Sequence, residues 1–201
     1  MDRTHSSINS LLEQATCIAR RSKEAAGETE STEGYKRRQT EELIKFANDN
    51  GLWIDLSHLN ITYMDRGGEN EVFHDGNVSV VKLNNFEYAG DDLENFFIRI
   101  AAHNKFFGNV PYQMIGFAYN SQQEFCAVLV QPYILAEREA TEDEIAAYMQ
   151  ALGFEMVYED EYHNAEYEVF DAVPNNVLYG IDDKLYFIDT QIRFRPIEIT
   201  L

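Results

Sequence analysis

The chain of 201 residues is long enough for one large domain, and its 45% apolar residues can fill a packed core. Its formal net charge of −19 is distributed unevenly. Residues 1–50 contain eight Lys or Arg and nine Asp or Glu, whereas residues 51–201 contain eight and 26. Such an acidic body repels phosphate backbones, so we expect no nucleic-acid partner.

The cysteines and the apolar segments bear on the cellular location. Cys17 and Cys126 lie far apart and lack metal-ligand spacing, as is typical of a protein in a reducing compartment. The N-terminus has no continuous apolar signal segment, and no apolar run reaches membrane-spanning length. We therefore expect a cytoplasmic protein without a membrane partner.

Residues 1–50 predict two amphipathic helices. The first is expected to begin near Ser6-Ser7, and the second to run from about Gly34 to Asn50, where Asn50-Gly51 would end it. The polar stretch between Ala25 and Gly34 predicts a loop. These helices would form an extension of the main domain.

A β-hairpin is predicted in the next part of the chain. Leu59–Met64 and Val78–Leu83 have the composition of strands, and Gly67-Gly68 follows the first of them. Lys82 interrupts the second apolar run in a chain poor in bases, which makes it a candidate for binding an anion. The alternative is a lysine on an edge strand that prevents aggregation.

A helix is predicted over Asp91–Phe107, followed by strands at Tyr112–Tyr119 and Phe125–Val130. Within this helix, His103 and Asn104 have no motif partner and are expected to be structural. The two later strands complete a five-stranded antiparallel sheet with the preceding elements. Gln131-Pro132-Tyr133 follows the last strand.

The remaining chain begins with a helix. Thr141 and Glu144 form a capping box at its start, and Gly153 follows its end. Beyond it, strands are predicted at Phe154–Asp160 and Glu166–Asp171, with a loop at 162–165 between them.

Three polar residues frame a predicted hairpin near the end of the chain. Val177–Tyr179 and Leu185–Ile188 are short apolar runs separated by a turn at Gly180–Asp183. Because a hairpin returns its ends to one place, Asp171, Asn176 and Asp189 are expected to converge. Asp and Asn oxygens suit a hard cation such as Mg²⁺.

In this order and spacing the chain resembles the protein-kinase-like superfamily and, within it, the small kinase-like domains of polyvalent proteins of bacterial mobile elements. In kinases a catalytic-loop Asp is followed five residues later by a metal-binding Asn, and a short hairpin leads to a second metal-binding Asp. Asp171, Asn176 and Asp189 stand at these positions. The resemblance covers about residues 60–191.

The resemblance implies an α+β, bilobal protein-kinase-like fold with an antiparallel five-stranded N-lobe sheet and a truncated, mainly helical C-lobe. The expected domains are a helical extension over residues 1–50, an N-lobe over 51–133 and a C-lobe over 134–201. After Gln191 only ten residues remain, whereas a protein kinase continues with an activation segment and a helical bundle. Residues 1–50 could replace that missing helical part.

The resemblance also implies ATP and Mg²⁺ as cofactors and a role for each matched residue. Asp171 would accept the proton of the acceptor hydroxyl, and Lys82 would contact the phosphates and pair with an acid. Glu94 is the first candidate for that acid, and Glu87 and Asp92 are alternatives. The other implied contacts are the phosphate-covering loop of Gly67 and Gly68, an adenine-binding hinge at Gln131 and Tyr133, and Mg²⁺ ligation by Asn176 and Asp189.

Three departures from the kinase pattern leave the activity open. Val169-Phe170 replaces the usual His-Arg, Val173 replaces a phosphate-facing Lys, and Thr190-Gln191 replaces Phe-Gly. Phosphate transfer to a protein or small-molecule hydroxyl therefore competes with two alternatives. One is a catalytically inactive, nucleotide-binding pseudokinase, and the other is a protein-interaction module.

Overall fold

A computed structural model describes residues 5–25, 31–76, 78–87 and 92–195. These residues form two compact units. The first comprises the described residues of Met1–Ile98 with Tyr112–Tyr133, and the second those of Arg99–Pro111 with Ile134–Leu201. Four α-helices lie in the described residues: α1 His5–Glu24, α2 Thr32–Asn50, α3 Leu93–Phe106 and α4 Glu142–Ala151. None of these helices is long and apolar enough to cross a membrane.

The first unit contains a five-stranded sheet in which every pair of neighbouring strands is antiparallel. Its strands are β1 Thr62–Arg66, β2 Asn70–His74, β3 Ser79–Asn84, β4 Gln113–Tyr119 and β5 Phe125–Pro132. They lie in the order β1-β2-β3-β5-β4, so β3 is the central strand. The predicted five-stranded antiparallel sheet is confirmed. The predicted hairpin of residues 59–64 with 78–83 is wrong, because β2 lies between β1 and β3 and pairs with both.

The two N-terminal helices pack within the first unit. Ser31 caps α2 by accepting a hydrogen bond from the Gly34 amide, so this helix begins earlier than predicted. It ends where predicted, because Gly51 adopts the left-handed conformation at φ 64° and its amide bonds to Ala47. Part of the predicted loop, residues 26–30, lies outside the described residues. Because both helices cluster with the first unit, the structure argues against the hypothesis that they replace helices of the second.

A short extended segment runs beside β4 in the first unit. The Ile54 amide donates to the Phe117 carbonyl at 2.8 Å, and the Phe117 amide donates to the Leu52 carbonyl at 2.9 Å. The backbone approaches so closely that a Cβ atom on Gly116 would overlap the Leu52 carbonyl oxygen. Glycine at this position therefore lets residues 52–54 dock against the sheet.

The second unit is mostly β-structure. Its strands are β6 Ala136–Glu139, β7 Glu155–Tyr158, β8 Glu161–His163, β9 Tyr167–Phe170, β10 Val177–Gly180, β11 Leu185–Phe187 and β12 Gln191–Phe194. They form two antiparallel sheets, ordered β11-β10-β6 and β12-β9-β8-β7. Within the described part of this unit, the only helical residues besides a 3-10 turn belong to α4 and the last part of α3. The expectation of a mainly helical C-lobe is therefore wrong, as is the loop expected at 162–165, which begins inside β8.

An aromatic core fills the second unit. Phe107 and Phe187 are fully buried and stacked, with ring centroids 4.3 Å apart, and Tyr148 packs on Phe187. The predicted capping box of α4 is confirmed, because the Thr141 side chain accepts from the Glu144 amide while the Glu144 carboxylate accepts from the Thr141 amide. These contacts fix α4 and the end of α3 against the strands that carry the candidate site.

Candidate functional site

The turn after β9 is held by the side chain of Asn176. Asp171 has a left-handed backbone at φ 58°, a conformation that Asp tolerates better than most residues. Its carbonyl accepts a 3.0 Å hydrogen bond from Asn176 Nδ2. A single 3-10 turn over Pro174–Asn176 completes the link, with the Asn176 amide bonded to the Val173 carbonyl at 2.9 Å. The Asp171 side chain is exposed, and Asn176 is only 8% exposed.

The β10–β11 hairpin brings Asp189 to the same place. Val177 pairs with Phe187, and the next rung is the Ile188 amide donating to the Asn176 carbonyl at 2.9 Å. Asp189 is the residue that follows Ile188. The predicted turn at the other end of the hairpin is confirmed, since the Gly180 amide bonds to the Lys184 carbonyl at 2.9 Å.

A second ladder closes the segment at its base. β12 pairs antiparallel with β9, and Gln191 lies opposite Phe170. Asp171 follows Phe170 and Thr190 precedes Gln191, so this pairing sets Asp171 beside the end of the Asp189 turn. The two ladders bring the backbone of Asp171, Asn176 and Asp189 into one region, although Asp171 and Asp189 stand at opposite ends of a 19-residue stretch.

The donor set of these three residues fits a magnesium ion. The Nδ2 group of Asn176 is committed to Asp171, which orients the amide, and its Oδ1 has a long contact of 3.5 Å with the Asn175 amide. Asp171 and Asp189 add exposed carboxylates. The described residues contain no group of three or more His, Cys, Asp or Glu side chains that could hold a metal alone. Mg²⁺ commonly binds one or two carboxylates and completes its shell with phosphates and water.

Lys82 lies on the central strand of the first unit's sheet, where it pairs with Val72 on one side and Leu129 on the other. The interpretation as an edge-strand lysine is therefore wrong. The side chain is 7% exposed, and its ammonium donates to the Tyr112 hydroxyl at 3.2 Å. The ammonium also lies 5.2 Å from the centroid of the Tyr112 ring. Burial on the central strand therefore places this lysine in the interior of the first unit rather than at an exposed edge.

The glycine loop joins β1 to β2. The Gly67 amide bonds to the Asn70 carbonyl at 2.9 Å, and both Gly67 and Gly68 are exposed. Neither has a positive φ, and a Cβ atom on either would meet nothing within 4 Å. Neither the backbone conformation nor internal crowding requires glycine at these two positions. Their small size would instead let an external group approach the loop backbone closely.

The buried carboxylate of Glu71 anchors this loop. Its Oε1 atom lies 3.2 Å from Nη1 of Arg66 at the end of β1, and the two side chains form an ion pair. It also accepts hydrogen bonds from the amide and, at a very short distance, the hydroxyl of Ser121 in the turn between β4 and β5. These contacts hold the base of the loop while leaving both glycines exposed.

The acids of α3 contact cations of α1. Glu94, the candidate partner of Lys82, lies 2.7 Å from the Arg20 guanidinium, which raises the pKa of Arg20 through the hydrogen bond. Asp92 lies 2.6 Å from Lys23, and this contact raises the pKa of that lysine. The third candidate, Glu87, is exposed. The pairing of Lys82 with one of these acids stays a prediction.

The expected hinge follows β5. Gln131 is buried and pairs with Val80. The Tyr133 amide donates to the Val78 carbonyl at 2.6 Å, and its ring packs on His74 with centroids 4.5 Å apart. Adenine recognition by the Tyr133 amide would therefore require this bond to break.

Sequence reasoning missed two buried residues near Asp189. Arg99 bonds to Gln191, and His103 bonds to the Phe187 carbonyl. The signal was present as a cation and an imidazole one turn apart on an otherwise apolar helix face, but His103 was assigned only a structural role. Their partners could not be inferred, because they lie more than 80 residues away.

The chain matches the family model described as serine/threonine/tyrosine kinase found in polyvalent proteins over residues 36–196. The match begins inside α2 and ends beyond β12, so it covers both units. Comparisons with curated proteins and with solved structures gave no match. The family match spans most of the sequence and includes Lys82, Asp171, Asn176 and Asp189. The chain therefore belongs to the family of serine/threonine/tyrosine kinases found in polyvalent proteins.

Proposed function

We propose that this protein binds Mg-ATP and transfers its terminal phosphoryl group to a hydroxyl of a protein or a small molecule. The observation that carries the proposal is the pair of ladders that unites Asp171, Asn176 and Asp189. Phosphoryl transfer requires positioning and charge neutralisation more than covalent chemistry. These three side chains can position the acceptor and a metal ion, and the metal that they hold would supply the neutralising charge. Membership of a kinase family supports the same conclusion.

Each residue of the second unit then has a distinct role. Asn176 Oδ1 and the Asp189 carboxylate hold the metal, and the bond from Asn176 Nδ2 to the Asp171 carbonyl orients the amide. Mg²⁺, when bound, neutralises phosphate charge that a chain of net charge −19 would otherwise repel. Asp171 orients the acceptor hydroxyl and takes its proton.

The residues of the first unit bind the nucleotide. Lys82 contacts the phosphates, because an ammonium and a phosphate oxygen form a strong, charge-assisted hydrogen bond. Gly67 and Gly68 let the loop backbone approach the phosphates. Gln131 and Tyr133 contribute to the adenine site, and Glu94 is the proposed partner of Lys82.

Thermal unfolding with increasing Mg-ATP tests the proposal. A ligand at 100 times its dissociation constant adds about 2.7 kcal/mol to the free energy of unfolding. For a chain of this size, that corresponds to a rise of roughly 5–11 °C in the melting temperature. Asp189→Asn should abolish the rise. Asp182→Asn at the tip of the same hairpin, where the carboxylate bonds to Lys184, should keep it. No rise in the wild-type protein at millimolar Mg-ATP would refute the proposal.

The glycine loop offers a second test that separates binding from folding. Gly67→Ala and Gly68→Ala should leave the melting temperature of the nucleotide-free protein unchanged, since the added methyl groups contact nothing. Both should weaken nucleotide binding by crowding the phosphates. Equal nucleotide binding in the variants and the wild type would remove the loop from the site.

Asp171→Asn separates transfer from binding. Asn tolerates the left-handed backbone as well as Asp does, so the variant removes the charge without adding strain. Transfer of radiolabelled phosphate should be lost, while the Mg-ATP shift in melting temperature should persist. Transfer at the wild-type rate would exclude Asp171 as the base.

Nucleotide binding without transfer is the second candidate function. It is favoured by Val173, which stands where a kinase has a phosphate-facing lysine and leaves the transferred group with one cation fewer. A wild-type protein that shows the Mg-ATP shift but transfers no phosphate to itself, to protein mixtures or to small hydroxyl compounds would support this candidate over the first.

A further inference from the structure

Two polar side chains on α3 are buried where an apolar face is expected. Arg99 and His103 are four residues apart and therefore lie on one side of the helix. They are 9% and 2% exposed. Burying such groups is costly unless each has a hydrogen-bond partner, so their partners indicate what this helix face does.

The partners lie on either side of Asp189. Arg99 Nη1 donates to Gln191 Oε1 at 2.7 Å, two residues after the aspartate. His103 Nε2 lies 2.8 Å from the carbonyl oxygen of Phe187, two residues before it. Because a carbonyl only accepts, Nε2 carries the proton in this contact.

Both attachment points are themselves firmly held. Phe187 is fully buried, stacks on Phe107 and pairs with Val177 in the hairpin. Gln191 is the first residue of β12 and pairs with Phe170. The three residues between them, 188–190, form a short span whose two ends are fixed to the same helix.

We propose that Arg99 and His103 are positioning residues that hold the Asp189 carboxylate in place for the metal, an inference that rests on the function proposed above. It also gives Gln191 a role. A glycine at this position would offer Arg99 no side-chain acceptor, so the departure from the kinase pattern supplies the contact. Residues that orient a metal ligand commonly change metal affinity about 10–100-fold when they are replaced.

The Mg²⁺ requirement of nucleotide binding tests the proposal. The affinity for Mg²⁺ is measured by calorimetry at saturating ATP, and metal-free ATP binding is measured in parallel with a chelator. Arg99→Met and Gln191→Leu should each weaken Mg²⁺ binding about 10-fold while leaving metal-free ATP binding unchanged. Arg99→Lys, which retains a donor, should keep more affinity than Arg99→Met. The double variant should lose less affinity than the sum of the two single losses, because the two changes share one contact.

Arg193→Met is the matched control. It also removes an arginine from this part of the chain, but Arg193 is exposed and pairs with Glu168 at 3.1 Å on the surface. Its Mg²⁺ affinity should equal that of the wild type. If Arg193→Met lost as much Mg²⁺ affinity as Arg99→Met, the loss would follow from removing any positive charge from this part of the chain. That result would overturn the proposal.

The outcomes separate this inference from the proposed function. If the wild-type protein binds no Mg-ATP, the proposed function fails and the inference fails with it. If the wild type binds Mg-ATP and both Arg99→Met and Gln191→Leu retain its Mg²⁺ affinity, only the inference fails. Should Arg99→Met not fold, Gln191→Leu gives the same information, because Gln191 is only partly buried.

Discussion

Gln39 on α2 links three helices of the first unit through one fully buried side chain. Its Nε2 donates to the Ala19 carbonyl at 3.2 Å, and its Oε1 accepts from the Leu93 amide at 2.9 Å. The Leu93 amide opens α3 and has no acceptor within its own helix. Replacing Gln39 therefore tests whether the N-terminal helices stabilise the unit that contains the five-stranded sheet.

Gln39→Met keeps the approximate volume and removes both hydrogen bonds. Burying the Leu93 amide without an acceptor costs about 1–3 kcal/mol, and losing the bond to Ala19 costs about 1 kcal/mol more. The free energy of unfolding should fall by about 2–4 kcal/mol. For a chain of this length, the melting temperature should fall by roughly 4–16 °C.

Urea denaturation followed by the fluorescence of Trp53, the only tryptophan in the sequence, measures this change in the first unit. Gln150→Met is the control, because it makes the same replacement at an exposed position of α4. The slope of the free energy against urea should be the same in all three proteins. A loss in Gln39→Met no larger than in Gln150→Met would show that the buried amide does not hold these helices.

Three further predictions concern stability. The Arg138 guanidinium and the Thr141 amide lower the pKa of Glu144 from 4.5 to about 2, so its stabilising effect should be lost as the pH falls from about 4.5 to about 2. Acid titration of unfolding should show this loss in the wild type and not in Glu144→Gln. Thr190→Val should raise the free energy of unfolding by about 1 kcal/mol, because the Thr190 hydroxyl is buried without a hydrogen-bond partner among the described residues; an unchanged or lower value would contradict this. Gly116→Ala should lower the free energy of unfolding by about 2 kcal/mol or more, because the added methyl group would displace residues 52–54. Equal melting temperatures of the variant and the wild type in calorimetry would disprove this.

The sequence predicts those parts of the fold that depend on nearby residues. The helices follow from apolar periodicity and from caps such as Thr141 and Gly51, which act within one turn. The proximity of the candidate residues Asn176 and Asp189 in the backbone is predictable for the same reason, since a hairpin of local sequence bonds the Ile188 amide to the Asn176 carbonyl.

Strands that depend on distant partners are not predictable in this way. β6 consists of Ala136–Glu139, whose residues are exposed and favour helices, and it is a strand because it pairs with β10 about forty residues later. β12 is not predicted from its own residues, and it forms a strand because it pairs with β9. The contacts of Glu94 with Arg20 and of Arg99 with Gln191 depend on the same long-range assembly.

The short connection between Asp189 and β12 affects how this protein could be controlled. Thr190 alone separates the aspartate from the strand, and its hydroxyl is buried. A connection of one residue cannot fold over a bound substrate or swing away from it, and it exposes no hydroxyl that another enzyme could modify. If this protein transfers phosphate, the rate of transfer should depend on the concentrations of the protein and its acceptor rather than on modification of that connection.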